Sequence, residues 1–336
     1  MKDTLKILGI FAILTMLIPM LSFFAPQKEE TAEAASETSV TEPLQESTRS
    51  GFESDDTFRV LDCSSGQVME MTMTEYVTGA VLGEMPASFH DEAIKAQAVA
   101  AHTYAVRKMK QQQNTPDPEL KGAHISNDST KYQAYFSPEQ AAYFYGNDYE
   151  AINSRITALT EEVIDELIVF DGEPIIAAFH SSSGGMTESA ENIWGNPVPY
   201  LVPVKNTEEA VPADTIFTSA ELEARFSQKY NTKFPEDTDE WFSINSVSPS
   251  GTVLSFSAGD TVLTGTEVRS LLNLRSACFT VAPSAEDSSF TFSVKGSGHG
   301  VGLSQYGANA MAENGADYKQ ILTHYYKGAE VISAVD

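Results

Sequence analysis

The first pattern along the chain is an unbroken apolar run. Leu5 to Phe24, LKILGIFAILTMLIPMLSFF, carries one charge, Lys6. About 20 such residues span a bilayer core as a helix. Lys2 and Lys6 lie on the N-terminal side, which leaves the bulk of the chain outside the cytoplasm. The competing reading is a cleaved signal peptide. However, the A-x-A at Ala32-Glu33-Ala34 lies well past the run, and the run is long for such a segment. A retained single-pass membrane anchor over 5–24 is therefore expected. Residues 25–57 are rich in Glu, Ser, Thr and Ala, with Phe52 their only aromatic. They cannot bury enough apolar surface to fold, and a disordered linker is predicted.

From Phe58 the pattern changes. Phe58 to Leu61 reads as a strand. Tyr76, Val77, Ala80, Val81 and Glu84 recur at helical spacing, predicting a helix from about Met73 to Met85 that Pro86 ends. Ser88 to Asp91 reads as a capping box for a second helix reaching about Met109. Ala93, Ala96, Ala100 and Ala101 give that helix thin faces. A short helix is expected over 138–145. Residues 163–170, Asp171-Gly172 and 174–179 read as strand, turn, strand. A polar loop, HSSSGGMTES, follows. A helix over 219–230 and strands at 243–248, 252–256 and 290–295 lead to a Gly-rich loop, KGSGHGVG. Two last helices, about 303–313 and 317–326, stop at Gly315 and Gly328. Strict strand-helix alternation is missing, so the expected fold class is mixed α+β, not a doubly wound sheet.

Composition narrows the function classes. The 336 residues are 42% apolar with a net charge of -26, enough apolar content for a substantial core but with no basic stripe to track phosphates. Nucleic acid is excluded as a partner on that ground. Cys63 and Cys278 can pair in an oxidising compartment or remain free thiols.

The motifs leave several readings open. GSGHGVG fits neither G-x-G-x-x-G nor the P-loop pattern. It is either a tight turn or a cleft wall that a ligand approaches closely, with His299 projecting from it. Ser181 to Gly185 cannot be placed in G-x-S-x-G, so a polar ligand-binding loop suits it better than a nucleophile elbow. The six histidines show no metal-ligand spacing. Trp194 and Tyr200 flank a Pro/Gly loop, as sugar-stacking rings or as core anchors. Glu84 stands at a helix C-terminus, where the dipole and any burial both raise a carboxyl pKa. A raised pKa suits a general acid; the competing reading, which local physics slightly favours, is an exposed helix-end glutamate with no such role.

Three blocks decide between these readings. GEMPASFHDEAIKAQAVAAHTYA, AAFHSSSGGMTESAENIWGNPVPYL and GSGHGVGLSQYGANAMAENG resemble the stage II sporulation protein D family (SpoIID), in the family's order and spacing over roughly 58–332. The resemblance implies a membrane-anchored peptidoglycan lytic transglycosylase, active in engulfment during endospore formation, with an extracytoplasmic α+β domain and a substrate cleft. It implies cleavage of glycan strands stripped by a SpoIIP-type amidase, assembly with a SpoIIM-type membrane protein, and no cofactor. The family's catalytic Glu in G-E-M-P corresponds to Glu84. Substrate-binding candidates are His102, His180, Ser181, Ser183, Gly184, Gly185, Glu188, Trp194, Tyr200, His299, Gly300, Ser304 and Gln305. Two departures stand out. The family usually carries Arg where this chain has His102, which supplies charge only when protonated. The His/Cys cluster of some relatives is reduced to His124 in HISNDSTKYQAY, so no zinc is expected. The alternative reading is a non-catalytic wall-binding module that stimulates a partner amidase.

Overall fold

The computed structural model describes residues 57–334 apart from 207, 209, 210 and 285–287. The expected anchor at 5–24 and nearly all of the linker at 25–57 lie outside the described residues. Among the described residues, no helix is long and apolar enough to cross a membrane. The fold is mixed α+β.

Its hub is the alanine-rich helix Asp91–Asn114. Four helices pack around it, Met73–Glu84, Tyr149–Glu161, Gln305–Glu313 and Tyr318–Tyr325, together with the strand Glu166–Phe170. Neighbours on every side explain the composition. Ala93, Ala96, Ala98, Ala100, Ala101 and Ala105 are all buried, and only so small a side chain lets that many elements approach one axis. The helix runs past Met109 to Asn114 because its polar end, KMKQQQN, consists mostly of good helix formers. Its start also differs from expectation. The Phe89 N–H closes a turn on Pro86 O at 3.0 Å, which takes Ser88 out of the capping role. The cap is His90, whose Nδ1 accepts from the Glu92 N–H at 3.2 Å. A full capping box opens the preceding helix instead, where Thr72 and Glu75 satisfy each other's amides.

Small sheets close the first core. Phe58–Leu61 pairs antiparallel with Val68–Met71 and parallel with Ile125–Ser126. Glu166–Phe170 pairs with Glu173–Pro174 and with the C-terminal strand Glu330–Ser333. The expected strand over 174–179 is broken. After Pro174 the chain leaves the sheet, bends so that the Ala178 N–H meets Ile176 O at 2.8 Å, and pairs again at Phe179–His180, in parallel with Leu303–Ser304.

A second core lies within residues 213–294. Two antiparallel three-stranded sheets, Phe242–Val247 with Val253–Ala258 and Thr261–Leu263, and Ala213–Thr218 with Ser289–Val294 and Phe279–Ser284, carry it. The helices Ser219–Tyr230 and Gly265–Leu272 cover them. Phe226, Trp241, Phe256, Phe279, Phe290 and Phe292 fill this core, which is distinct from the first. The lobe is an insertion, since the chain on both sides of it belongs to the first core.

Candidate active site

Glu84 is the last residue of its helix. Met85, which precedes Pro86, is extended at φ -123 and ψ 140, the conformation a pre-proline residue favours. The helix therefore stops with the carboxyl in place, only 9% exposed. Its Oε1 accepts the Ala134 N–H at 2.5 Å. Two helix glycines deliver that amide. Gly79 and Gly83 strip one face, and residues 133–136 lie against it. A Cβ on Gly79 would strike the Tyr135 ring and come within 2.7 Å of Phe136 O. The Phe136 N–H donates to Gly79 O at 3.0 Å. Burial pushes the Glu84 carboxyl up to about 7 from 4.5, against the pull of the Ala134 N–H. Half of it is thus protonated near neutral pH, which suits a group that gives and then takes a proton.

Glu84 opens into a cleft of about 200 Å³. Tyr104, Lys131, Tyr132 and Gln133 line one part, Ile176 to Ser181 another, and Trp194, His299 and Gln305 complete it. Among the described residues lining it, Glu84 carries the only carboxyl and Lys131 the only fixed positive charge. The two imidazoles are neutral. Burial lowers His180 to about 4 and takes His299 well below its usual range. His180 Nδ1 lies 3.2 Å from Val301 O and must donate to it, so Nε2 holds a lone pair, buried and without a protein partner. His299 Nδ1 accepts the Val301 N–H at 3.0 Å. The Trp194 and His299 ring centres are 5.6 Å apart.

The serine and glycine loops meet backbone to backbone. Ser182 and Ser297 exchange both amide bonds, at 3.0 and 2.8 Å. Gly298 has φ +105, and a Cβ there would lie 2.7 Å from His180 Cβ; at Gly302, φ +74, a Cβ would run into Ala178 O. Gly296, Gly298 and Gly302 therefore admit the protein's own 178–183 segment, while Gly300 faces Glu188.

The predicted site residues separate into three groups. His180, Ser181, Trp194, His299 and Gln305 share the cleft with Glu84. Ser183, Gly184, Glu188 and Gly300 line a recess of about 20 Å³ on the other side of the loop, room for about one water molecule and not for a sugar. His102, Gly185, Tyr200 and Ser304 line neither. His102 lies in the core, with Nδ1 3.0 Å from Glu166 O, and burial lowers it to about 4, so it brings no charge to Glu84. Tyr200 is a core anchor: its hydroxyl accepts the Ile176 N–H at 2.9 Å and its ring packs on Phe170. Ser304 caps the helix Gln305–Glu313. Glu188 is a staple. Its carboxylate accepts from Ser189 N–H, Asn192 Nδ2, Ser248 Oγ and Ser250 Oγ, the last two from the inserted lobe. Burial pushes this carboxyl up, yet those hydrogen bonds outweigh it and hold it below its ordinary value.

Sequence reasoning missed Tyr104, Lys131, Tyr132, Gln133 and the 176–179 stretch. Tyr104 stood within AHTYA, one turn pattern from recognition, but the 131–133 segment has no periodicity to announce it. Glu208 was also missed. Its carboxyl is pushed up to about 7 by burial, against hydrogen bonds from Ser183 and Ser304. Cys63 and Cys278 are both free thiols, the former exposed.

Fold and site together define an α+β protein that sets one buried, proton-bearing carboxyl into a cleft of aromatic, amide and neutral imidazole groups. The chain belongs to the stage II sporulation protein D family. Residues 63–169 match the family described as Stage II sporulation protein (SpoIID). The chain is 32% identical to stage II sporulation protein D of Bacillus amyloliquefaciens, over 99% of this chain and 97% of that one. The identity to stage II sporulation protein D of Bacillus subtilis (strain 168) is also 32%, with the same coverage. An amidase enhancer of Bacillus subtilis (strain 168) is 29% identical, over 76% of this chain and 40% of that protein.

Proposed function

We propose that this protein is a sporulation cell-wall enzyme, a lytic transglycosylase that cuts denuded peptidoglycan glycan strands between N-acetylmuramic acid and N-acetylglucosamine. The observation that carries the proposal is Glu84: a buried carboxyl, half protonated near pH 7, and the only carboxyl among the described residues lining its cleft. Glu84 donates its proton to the glycosidic oxygen as the bond to the muramic C1 breaks. Oxocarbenium character develops at C1. The Glu84 carboxylate then takes the proton of the C6 hydroxyl on the same sugar as that oxygen bonds to C1, giving a 1,6-anhydro end. Ordinary glycoside hydrolases use a second carboxylate. An intramolecular hydroxyl replaces it, with a high effective concentration. The Trp194 and Tyr132 rings, which line the cleft, offer stacking faces to the sugars. The purified protein should release anhydro-disaccharides from denuded glycan, seen by mass spectrometry, while Glu84→Gln should not. Equal product from both would sink the assignment.

The same reading has residues 5–24 anchoring the chain in the cell membrane, with the folded part outside the cytoplasm, where it works in engulfment beside a SpoIIP-type amidase and a SpoIIM-type membrane protein. Protease added to intact protoplasts should then digest the folded part, and full protection would refute this orientation. A second reading, a wall-binding module that stimulates an amidase, is favoured by the similarity to a protein named amidase enhancer. It predicts increased amidase activity without glycan cleavage, unchanged by Glu84→Gln.

A further inference from the structure

One half-buried carboxyl outside the cleft, Glu208, gathers three chain segments onto a single oxygen. Glu208 Oε1 accepts from the Ser183 N–H at 2.9 Å, Asn206 Nδ2 at 2.9 Å and Ser304 Oγ at 3.0 Å. The network extends through Asn206, whose Nδ2 also donates to Ser183 Oγ at 2.9 Å and whose Oδ1 accepts the Tyr325 hydroxyl at 2.5 Å. Gly307 makes room for it, because a Cβ there would collide with both Asn206 Oδ1 and the Tyr325 hydroxyl. Ser183 and Ser304 are 3% and 0% exposed, so in the folded protein they rely on this carboxyl as their acceptor. Their near neighbours Ser181 and Gln305 line the cleft. The two loops are also pinned together directly, by the Tyr306 N–H on Ser181 O at 3.0 Å.

We infer that Glu208 is a positioning residue, holding the serine loop and the strand Leu303–Ser304 in the register that presents Ser181 and Gln305 to substrate. The Oε1 acceptor suits this place because its loss strands two buried donors, Ser183 N–H and Ser304 Oγ, at once. The inference rests on the proposed transglycosylase reading for its kinetic readout only.

In the whole protein, Glu208→Ala should raise KM for denuded glycan about ten-fold while kcat falls less than about three-fold. Amide exchange at Tyr306, the reporter of the loop-to-loop joint, should quicken about ten-fold as local opening becomes easier. Glu208→Gln keeps an acceptor at Oε1 and should restore both quantities to within about three-fold of the wild type. Unchanged exchange at Tyr306 in Glu208→Ala overturns the inference. So does a Glu208→Gln variant as inactive as Glu84→Gln, which would make Glu208 a proton carrier. If Glu208→Ala does not fold, Tyr325→Phe, which loosens the same network from its far end, replaces it, and wild-type exchange at Tyr306 in that variant counts against the inference. If the wild type makes no anhydro product, the reaction reading fails and the exchange measurement still decides the positioning role.

Discussion

Glu84 carries its proton at a pH where an exposed glutamate has lost it, and the cause is burial at a helix end. The folded protein therefore binds this proton more tightly than the unfolded chain. Stability falls as pH rises from about 4.5 to about 7, and the loss is complete above that. The shift corresponds to about 3 kcal/mol. Glu84→Gln should accordingly raise the melting temperature above pH 7 and leave it unchanged below about pH 4, while abolishing cleavage. A variant less stable than the wild type at pH 8 would show that burial is not the cause. In the wild type, kcat/KM should decline as pH rises through about 7, where the acid form is lost. His102 adds no limb to that profile near 6.5, because burial keeps it neutral throughout. The Arg-to-His departure thus concerns packing beside Glu166, not charge beside the acid.

The acid helix accepts two glycines, each of which costs about 1 kcal/mol in helix propensity. Tertiary contact explains them. Gly79 and Gly83 let residues 133–136 lie on the helix and bring the Ala134 N–H to Glu84. Gly79→Ala should cost about 1–3 kcal/mol through overpacking against Tyr135 and Phe136. It should also move the alkaline limb of the pH profile upward, since the Ala134 N–H is the group that lowers the Glu84 pKa. Thermal melts and a pH–rate series check both, and an unmoved limb would mean that the amide contact survives. Elements with strong signals, the helices near 73–84 and 91–114, were legible in the sequence. Others gave weak signals for physical reasons. Tyr149–Glu161 buries only Ile156, Leu159 and Thr160, too narrow a stripe to stand out. Phe279–Ser284 contains Pro283, which an edge strand tolerates and which masks a strand pattern.

Across the whole molecule, Glu188 ties the inserted lobe to the first core through Ser248 and Ser250. It also holds the cleft wall, because the Glu188 N–H donates to Gly300 O at 2.7 Å and Asn192, on the short helix bearing Trp194, donates to its carboxylate. Glu188→Ala leaves the two buried hydroxyls of Ser248 and Ser250 without their carboxylate acceptor and should destabilise by about 2 kcal/mol. The aromatic lobe should then unfold apart from the first core, as a second calorimetric transition. One unchanged transition would show that other contacts couple the lobes.

The sequence by itself determined the mixed fold class and the ends of the helix that bears Glu84, and its three motif blocks singled out Glu84 as the candidate acid, because helix periodicity, Pro86 and motif spacing are local signals. Tertiary structure decided what those residues do together. It placed His180, Ser181, Trp194, His299 and Gln305 with Glu84, sent His102 and Tyr200 to the core, turned Glu188 into a staple, and brought Glu208 behind the cleft wall. Burial, partner geometry and the resulting pKa depend on segments far apart in the chain, and no local pattern records which of them will meet.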